Sequence, residues 1–361
     1  FHGNVASFWN RNNVYKNLGY QYFFDASYYD TSGDKATGYG LKDKLLFKNS
    51  IKYLQSLQQP FYAKYITVTN HFPYTLDDED KDPNFQTTNT GDSNVDNYFV
   101  TAHYLDQSIQ EFFNYLQKTG LDKKSIIMIY GDHYGISNSE NTSLASVLGK
   151  SADEWTDFDN AQLQRVPLMF VIPGTGHGKV YHTYGGEVDV LPTLLHLLGI
   201  SSKRYIQFGT DLFSSKHNQV VAFRNRDFVT PTYTSVGGTI YNNKTGKEAK
   251  LTKKQQEKLK KDQEFVNEEL TLSDSLNEKN LLRFYHPKGF KNVNPADYNY
   301  SNGLKRAQRI EKKKGIKSTS IYSENGDRST VDDYSTDAPE QNHSSTDSNR
   351  IKITNPDANN K

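Results

Sequence analysis

Apolar residues recur at steps of three and four between Val95 and Leu116, which is the period of an amphipathic helix. Gly120 stands where such a helix would have its C-terminal glycine cap. A second apolar helix is predicted over 188–198. Around these helices lie runs of successive apolar residues, typical of strands buried on both faces: 63–69, 125–130 and 166–172. The alternation of strands with helices predicts a doubly wound α/β sheet.

The pattern changes after Gly209, where the apolar runs become shorter and alternate with polar residues. A charged helix with widely spaced apolar residues is predicted over 251–270. Antiparallel strands, two of them joined by a tight turn at Gly237-Gly238, are predicted over 220–223, 229–236 and 239–242.

Three regions follow from these patterns. Residues 1–215 form the predicted α/β core, and residues 216–302 form a small antiparallel α+β subdomain. After Asn302 the chain is first basic (KRAQRIEKKKGIK) and then rich in Ser, Asp, Asn and Thr. Because no hydrophobic period survives there, residues 303–361 are predicted to be a disordered polar tail.

Composition narrows the classes of function. The formal net charge of +1 gives no general attraction to nucleic acid. The chain has no cysteine, which excludes disulfides and thiol catalysis. No run approaches the ~20 apolar residues that a membrane-spanning helix needs. The first residue is Phe1, and Phe1-His2-Gly3 resembles the end of a strand, so we expect a processed chain whose core is incomplete on its N-terminal side.

Titratable side chains stand at the ends of predicted strands, where open α/β sheets bind ligands. Asp132 and His133 follow the strand 125–130 in a glycine-flanked loop, and His71 and His2 take the same position after their own runs. A carboxylate beside an imidazole is a half-shell for Mn²⁺ or Zn²⁺, and the remaining ligands must come from elsewhere. The alternative is that Asp132 caps the next turn and His133 packs.

The stretch FHGNVASFWNR offers a second set of groups. Arg11 can hold a phosphate through two parallel hydrogen bonds. Trp9 offers a flat apolar wall or an indole N–H donor. Alternatively, the two residues lie two positions apart on a helix, with Trp9 buried and Arg11 in solvent. The spacing alone leaves both interpretations open.

Five stretches of the chain resemble the lipoteichoic acid synthases, which are polyglycerolphosphate synthases in the sulfatase branch of the alkaline phosphatase superfamily. They lie within roughly residues 1–300 and read FHGNVASFWNRNNVYKNLG, ITVTNHFPYTL, IIMIYGDHYGIS, GGEVDVLPTLLHLLGI and FGTDLFSSKHNQVVAFRN. The Asp-His pair and the Asp-x-x-Pro-Thr-Leu-Leu helix are typical of the whole superfamily. Trp-Asn-Arg and Asn-His-Phe-Pro are more specific to the synthases. Tyr134 departs from many sulfatases, which have glycine after the histidine.

The resemblance implies a fold and a site. The fold is a sulfatase-like α/β core with a smaller antiparallel C-terminal subdomain. Asp132 and His133 match the ligands of one metal ion, expected to be Mn²⁺, with Mg²⁺ or Zn²⁺ as alternatives. His71 is the candidate catalytic residue of this chain. The residues that match the pocket for the glycerol-phosphate head group are His2, Trp9, Arg11 and His71.

The resemblance also implies a reaction, the transfer of glycerol phosphate from phosphatidylglycerol to a growing polymer on a glycolipid anchor, with release of diacylglycerol. In this family the nucleophilic threonine, an acidic metal ligand and the membrane-spanning helices lie upstream of the position of Phe1. We therefore expect no activity from this chain alone. The parent is expected at the extracellular face of the cytoplasmic membrane of a Gram-positive bacterium, and its processed form is expected to be secreted or associated with the cell wall.

Other functions stay open from the sequence. One is a primase that adds only the first glycerol phosphate to the lipid anchor. Another is a phosphodiesterase or sulfatase of the same superfamily, although a sulfatase needs a formylglycine-type Cys/Ser motif and the chain has no cysteine. The non-enzymatic alternative is a released wall domain that binds glycerol-phosphate polymer.

Overall fold

The computed structural model describes residues 1–342, in which short strands are distributed among longer helices. The α-helices of this region are α1 (Arg11–Asn17), α2 (Asp43–Leu54), α3 (Ser93–Lys118), α4 (Asp157–Gln162), α5 (Val190–Leu197), α6 (Lys253–Glu278), α7 (Gly303–Lys314) and α8 (Ile321–Glu324). Its strands are β1 (Ala36–Thr37), β2 (Gly40–Leu41), β3 (Ile127–Tyr130), β4 (Leu168–Val171), β5 (Val221–Ala222), β6 (Phe228–Val229), β7 (Tyr233–Val236) and β8 (Thr239–Asn242).

The main core forms where α2 packs against α3. Leu45, Leu46 and Ile51 of α2 are fully buried, and Tyr115 and Leu116 of α3 close the same cluster from the other side. Burial of aliphatic side chains such as these contributes about 1.5–3 kcal/mol each relative to exposure. The α2–α3 pair is therefore the platform on which the segments that carry the site are placed.

Helix α3 confirms the prediction made from the apolar period. It begins after Asp92, whose carboxylate accepts hydrogen bonds from the backbone N–H groups of Asn94 and Val95 at 3.0 and 3.4 Å. Gly120 follows the helix with a φ of 71°, a conformation that glycine adopts without steric cost.

The C-terminal sheet contains the predicted hairpin. Strands β7 and β8 pair antiparallel on either side of Gly237-Gly238, and both glycines have positive φ, as a tight hairpin turn requires. The order β5-β6-β7-β8 is antiparallel throughout. Helix α6 covers this sheet through the buried side chains of Leu259 and Val266, which contact Phe228.

Strands β3 and β4 pair antiparallel, with Ile127 opposite Val171 and Tyr130 opposite Leu168. Their apolar sequences suggested parallel strands in the middle of a sheet. A continuous apolar run shows that a strand is suited to burial but does not encode the direction of its neighbour. The structure therefore corrects the orientation of this pair.

The run 63–69 is extended but forms no strand in the described part of the chain. Its main contact is a single parallel bridge between Ile66 and His2. The backbone N–H of Ile66 donates to the carbonyl of Phe1 at 3.1 Å, and the ammonium group of Phe1 donates to the carbonyl of Lys64 at 2.7 Å. This contact holds the first residues of the chain beside the segment that leads to His71.

The predicted disorder of 303–361 is wrong for residues 303–342. Helix α7 contains the buried residues Gly303 and Ala307, and further along Tyr334 and Ala338 belong to the main core. The remaining residues of that predicted tail, 343–361, lie outside the described part of the chain.

Residues 303–342 are ordered although their sequence has no hydrophobic period, because polar contacts over long sequence separations hold them in place. The buried ammonium group of Lys42 donates to Glu340 at 2.6 Å and to Asp80 at 2.5 Å. The hydroxyl groups of Tyr115 and Thr330 are hydrogen-bonded at 2.8 Å. The contacts of Glu340 and Thr330 join the C-terminal segment to a surface that other elements form, so the segment needs few apolar residues of its own.

Residues 1–342 include no helix that has both the length and the apolar character required to cross a membrane. The antiparallel sheet with α6 has its own hydrophobic cluster, separate from the α2–α3 core. The division into 1–215 and 216–302 stays a prediction.

Candidate active site

A buried histidine holds an arginine at one end of the candidate site. His2 is 1% exposed, and its Nε2 lies 3.2 Å from Nη1 of Arg11, the first residue of α1. The guanidinium group also lies over the ring of Phe8, 5.1 Å from the ring centroid. Arg11 is half-buried and also interacts with the hydroxyl group of Tyr15, where it opposes the rise that burial gives the pKa of Tyr15. These neighbours, rather than solvent, set the position of Arg11.

The hydrogen bonds of His2 define its protonation state. Its Nδ1 lies 3.2 Å from the carbonyl oxygen of Ile66, which can only accept, so Nδ1 carries the proton. Nε2 is then the acceptor for Arg11. Burial first, and then the charge of Arg11, lower the pKa of His2 from 6.5 to about 3. His2 is therefore a neutral acceptor that aligns the guanidinium group.

Two glycines allow the N-terminal segment to lie against β2. A Cβ atom on Gly3 would lie 2.8 Å from the backbone nitrogen of Leu41, and one on Gly40 would lie 2.6 Å from the carbonyl oxygen of Gly3. Gly40 also has a φ of 146°. Larger residues at these positions would displace the backbone that carries His2.

Trp9 lies in a strained conformation and faces solvent. It has φ 52° and ψ 31°, and its side chain is 69% exposed. Asn10 also has positive φ. Left-handed conformations are rare for large residues and persist where the surrounding structure enforces them. The alternative that placed Trp9 buried on a helix is wrong, because Trp9 precedes α1 and Arg11 begins it.

His71 follows the extended run and points its free nitrogen away from the backbone. Its Nδ1 lies 2.9 Å from the carbonyl oxygen of Phe72, so Nδ1 is the donor and Nε2 keeps a lone pair. The ring lies 4.3 Å from the ring of Tyr39 and 5.7 Å from the ring of His133, measured between centroids. The rings of His71 and His133 therefore lie close together, and their service in one functional site stays a prediction.

Asp132 and His133 are exposed at the end of β3. Nε2 of His133 lies 3.9 Å from Oδ1 of Asp132. Nδ1 of His133 lies 2.7 Å from the carbonyl oxygen of Tyr134, which again assigns the proton to Nδ1. The alternative in which His133 packs in the core is wrong, since more than half of its side chain is exposed.

This donor set fits part of a metal site. A backbone carbonyl that accepts from Nδ1–H fixes the tautomer in which Nε2 can bind a metal, and the neighbouring carboxylate supplies an anionic oxygen. Asp132 and His133 provide two donors. Among residues 1–342, no group of three or more His, Asp and Glu side chains is arranged to hold a metal ion. The pair thus fits as a half-shell.

Lys64 interacts electrostatically with both the arginine end and the acidic end of the site. Burial lowers the pKa of Lys64, the charge of Arg11 lowers it further, and the charge of Asp132 acts in the opposite direction. Lys64 is therefore within electrostatic range of both groups. The sequence analysis missed it, although a lysine inside an otherwise apolar run is a signal in itself.

Glu187 is a second residue that the sequence analysis missed. Burial raises the pKa of Glu187, Asp132 raises it further, and His133 opposes this shift. Glu187 lies in a short 3-10 helix, Glu187–Asp189, directly before α5. The site therefore has a cationic end at Arg11 and an anionic end near Asp132.

Asp43 supports the segment that leads into His71. Its carboxylate accepts from the backbone N–H groups of Val68 and Thr69 at 2.9 and 3.1 Å, and the hydroxyl oxygen of Thr69 accepts from the backbone N–H of Asp43 at 3.0 Å. Burial raises the pKa of Asp43 to about 6, and the backbone N–H groups act in the opposite direction. The start of α2 thereby fixes the direction in which the chain reaches His71.

The sequence of this chain is similar to those of a known protein family. A sequence model of the Sulfatase family matches residues 1–200. Lipoteichoic acid synthase 2 of Bacillus subtilis is 53% identical over 301 residues, which cover 83% of this chain and 45% of the relative. The lipoteichoic acid synthase of Staphylococcus aureus strain USA300 is 46% identical over 304 residues, which cover 84% and 46%. The chain spans less than half the length of these relatives.

Solved structures give the same result. The lipoteichoic acid synthase LtaP from Listeria monocytogenes superposes with a TM-score of 0.64 and 25% identity, covering 80% of this chain and 70% of that one. An alkaline phosphatase superfamily protein from Vibrio parahaemolyticus has a TM-score of 0.56 at 17% identity and shows likeness of fold alone. With more than half of its residues matched by the family and with this shared fold, the chain belongs to the sulfatase family.

Proposed function

We propose that this chain carries the head-group pocket and part of the metal site of an enzyme that polymerises glycerol phosphate into lipoteichoic acid. The observation that carries the proposal is the Arg11 guanidinium group, held by the buried neutral His2 in a site that also contains the exposed pair Asp132-His133. The similarity to lipoteichoic acid synthases supports the choice of reaction.

Arg11 is the proposed phosphate anchor. His2 lies at one edge of the guanidinium group, Phe8 lies on one face, and Tyr15 also interacts with it, so the remaining N–H groups are the ones proposed to bind phosphate oxygens. As the phosphate is attacked, negative charge builds on its oxygens, and a fixed guanidinium group stabilises that charge without reorganising. His2 acts through Arg11 as a positioning residue, because it is buried behind it.

Trp9 and His71 are the proposed contacts to the glycerol part of the head group. In the tautomer of this structure, Nε2 of His71 is an acceptor, which suits a glycerol hydroxyl. If His71 instead protonates the departing diacylglycerol oxygen, its ring must first take up a second proton. The exposed indole of Trp9 offers an N–H donor and an apolar wall.

Asp132 and His133 are the proposed ligands of one Mn²⁺ ion. When bound, this ion would lower the pKa of a coordinated hydroxyl group and offset negative charge on the phosphate. Two protein donors do not complete a coordination shell, so the proposed site requires a further ligand from outside residues 1–342, and the family resemblance implies an acidic one upstream of Phe1.

The proposed nucleophile is a threonine upstream of this chain. Its oxygen forms a bond to phosphorus while the bond from phosphorus to the diacylglycerol oxygen breaks, and that oxygen leaves with a proton. Thr69 is unsuited to this role, because it is 1% exposed and its hydroxyl group is bonded to the start of α2. In the second step, the hydroxyl oxygen at the end of the polymer on its glycolipid anchor forms a bond to phosphorus and gives up its proton. The bond from phosphorus to the threonine oxygen breaks, and that oxygen takes up a proton.

The donor is then phosphatidylglycerol, and the proposed location is the extracellular face of the cytoplasmic membrane of a Gram-positive bacterium. The test uses the longer parent protein with phosphatidylglycerol vesicles and measures diacylglycerol release. Arg11→Gln should lower turnover about a hundredfold, the usual scale for loss of one fixed charge-stabilising donor. Lys260→Gln, on α6, is the surface control and should leave turnover unchanged. Equal turnover of the Arg11→Gln and unsubstituted proteins would overturn the proposal.

A further inference from the structure

The outer face of α7 is rich in cationic residues. Its inner face contains Gly303 and Ala307, which are buried against the core. The outer positions recur at spacings of four, three and one, which place them on one stripe of a helix. These exposed residues are Lys305, Arg309, Lys312 and Lys313.

Helix stability explains only part of this face, because Lys312 and Lys313 in the last turn interact favourably with the helix dipole, whereas Lys305 and Arg309 lie before that turn. Like charges three or four residues apart repel, and Arg309 has Lys305, Lys312 and Lys313 at those distances. None of the four belongs to an ion pair within residues 1–342. Helix α6 is the internal comparison, because its lysines alternate with acids and form pairs such as Lys258–Asp262 at 2.7 Å.

An exposed apolar side chain follows the cationic stripe directly. Ile316 is fully exposed, and it stands between the exposed residues Lys314 and Lys317. A single exposed isoleucine is ordinary on a protein surface. Here, however, the isoleucine lies beside a cluster of basic side chains. Basic and apolar side chains placed side by side are typical of helices that bind the surface of a bilayer.

We propose that α7 and residues 315–317 form a docking surface for an anionic lipid bilayer. Lys305, Arg309, Lys312 and Lys313 would approach the head groups, while Ile316 would enter the boundary with the acyl chains. The whole chain has a formal net charge of only +1, so attraction to an anionic surface must come from such local clustering. A soluble polyanion would satisfy the cations but would give the exposed isoleucine no partner.

The experiment measures co-sedimentation of this chain with vesicles of phosphatidylcholine alone or mixed with phosphatidylserine. Phosphatidylserine carries negative charge without a glycerol head group, so binding does not depend on the proposed active site. The chain should bind the vesicles that contain phosphatidylserine, and this binding should weaken as the salt concentration is raised. The variant K305Q/R309Q/K312Q/K313Q should bind roughly tenfold more weakly or worse. The matched control K253Q/K254Q/K260Q/K261Q removes the same charge from α6 and should bind as before.

Two further readouts test the interpretation. The quadruple α7 variant should melt at about the same temperature, because relief of repulsion offsets the lost interaction of Lys312 and Lys313 with the helix dipole. Ile316→Ser should weaken vesicle binding without changing the melting temperature. The proposal is overturned if both quadruple variants bind alike, if anionic vesicles bind no better than phosphatidylcholine, or if only soluble polyphosphate is bound.

Discussion

Three histidines of the site carry their proton on Nδ1 for the same reason. In His2, His71 and His133 this nitrogen lies within 3.2 Å of a backbone carbonyl oxygen, which leaves Nε2 as the group that meets a partner. In His2 the partner is Arg11. In His71 and His133, the same contact leaves the lone pair of Nε2 available, which suits the substrate and metal contacts proposed for them. Backbone geometry thus sets the chemistry of each ring.

The burial of His2 predicts how stability depends on pH. The unfolded histidine takes up a proton below about pH 6.5, whereas burial lowers the pKa in the folded chain to about 3. The unfolded state therefore binds more protons in this window, and stability falls as pH falls through it. By pH 5 the loss is about 2 kcal/mol. Urea unfolding at several pH values should show that the free energy of unfolding falls less steeply with falling pH in His2→Gln than in the unsubstituted protein. Identical pH slopes in both proteins would contradict the assignment of His2 as a neutral buried group.

The strained backbone at Trp9 makes a second prediction. A left-handed conformation costs about 1–2 kcal/mol for an ordinary residue. Asparagine tolerates it better, and the exposed indole contributes little burial. Trp9→Asn should therefore unfold with the same or a slightly higher free energy, yet bind glycerol phosphate more weakly. Asn10→Gly, in the same backbone conformation, is the control and should leave binding unchanged. A clear loss of stability in Trp9→Asn with intact binding would make Trp9 a packing residue.

Among the secondary-structure elements, the sequence predicted best those with local signals. The apolar period and the glycine cap located α3, and Gly237-Gly238 located the β7–β8 hairpin. The direction of β4 relative to β3 has no such signal, because it depends on packing between residues about forty positions apart. The run 63–69 is apolar enough for a strand, but in the described structure its only β-bridge is the one between Ile66 and His2.

The polar composition of residues 303–342 predicts a dispensable tail, whereas their contacts in the structure predict that they stabilise the fold. This segment contributes Tyr334 and Ala338 to the core and Glu340 to the buried ammonium group of Lys42. A chain ending at Asn302 loses these contacts, so its melting temperature should fall by several degrees, at about 2–4 °C for each kcal/mol. A chain ending at Asn342 keeps every described contact and is the matched control. Equal melting of the two chains would mean that the segment does not stabilise the core.

Over the whole molecule, the site is assembled from segments far apart in sequence. The first residues supply His2 and Arg11, the run after α2 supplies His71, and the end of β3 supplies Asp132 and His133. Motifs identified these residues one by one. Glu187 was missed because only the folded arrangement brings it within electrostatic range of the others, whereas Lys64 had one sequence signal, its place inside an apolar run.

The half-shell of donors predicts metal loss in the parent protein. His133→Ala should remove bound Mn²⁺, since one carboxylate retains far less affinity than a carboxylate with an imidazole. Metal content of the purified parent, measured by elemental analysis, is the readout. His103→Ala is a suitable control, because His103 pairs with Asp82 away from these donors. Full Mn²⁺ occupancy in the His133→Ala protein would show that this histidine is not a ligand.

The claim that Arg11 anchors a glycerol phosphate is tested most directly by titration calorimetry of this chain with glycerol phosphate and with inorganic phosphate. Glycerol phosphate should bind more tightly, since Trp9 and His71 add contacts to its hydroxyl groups. Arg11→Gln should weaken the binding of both ligands about tenfold or more, because a charge-assisted hydrogen bond contributes about 1.5–3 kcal/mol. Lys260→Gln should bind as the unsubstituted chain does. Equal affinity for the two ligands, or unchanged affinity in Arg11→Gln, would contradict the assignment of this site as a glycerol-phosphate pocket.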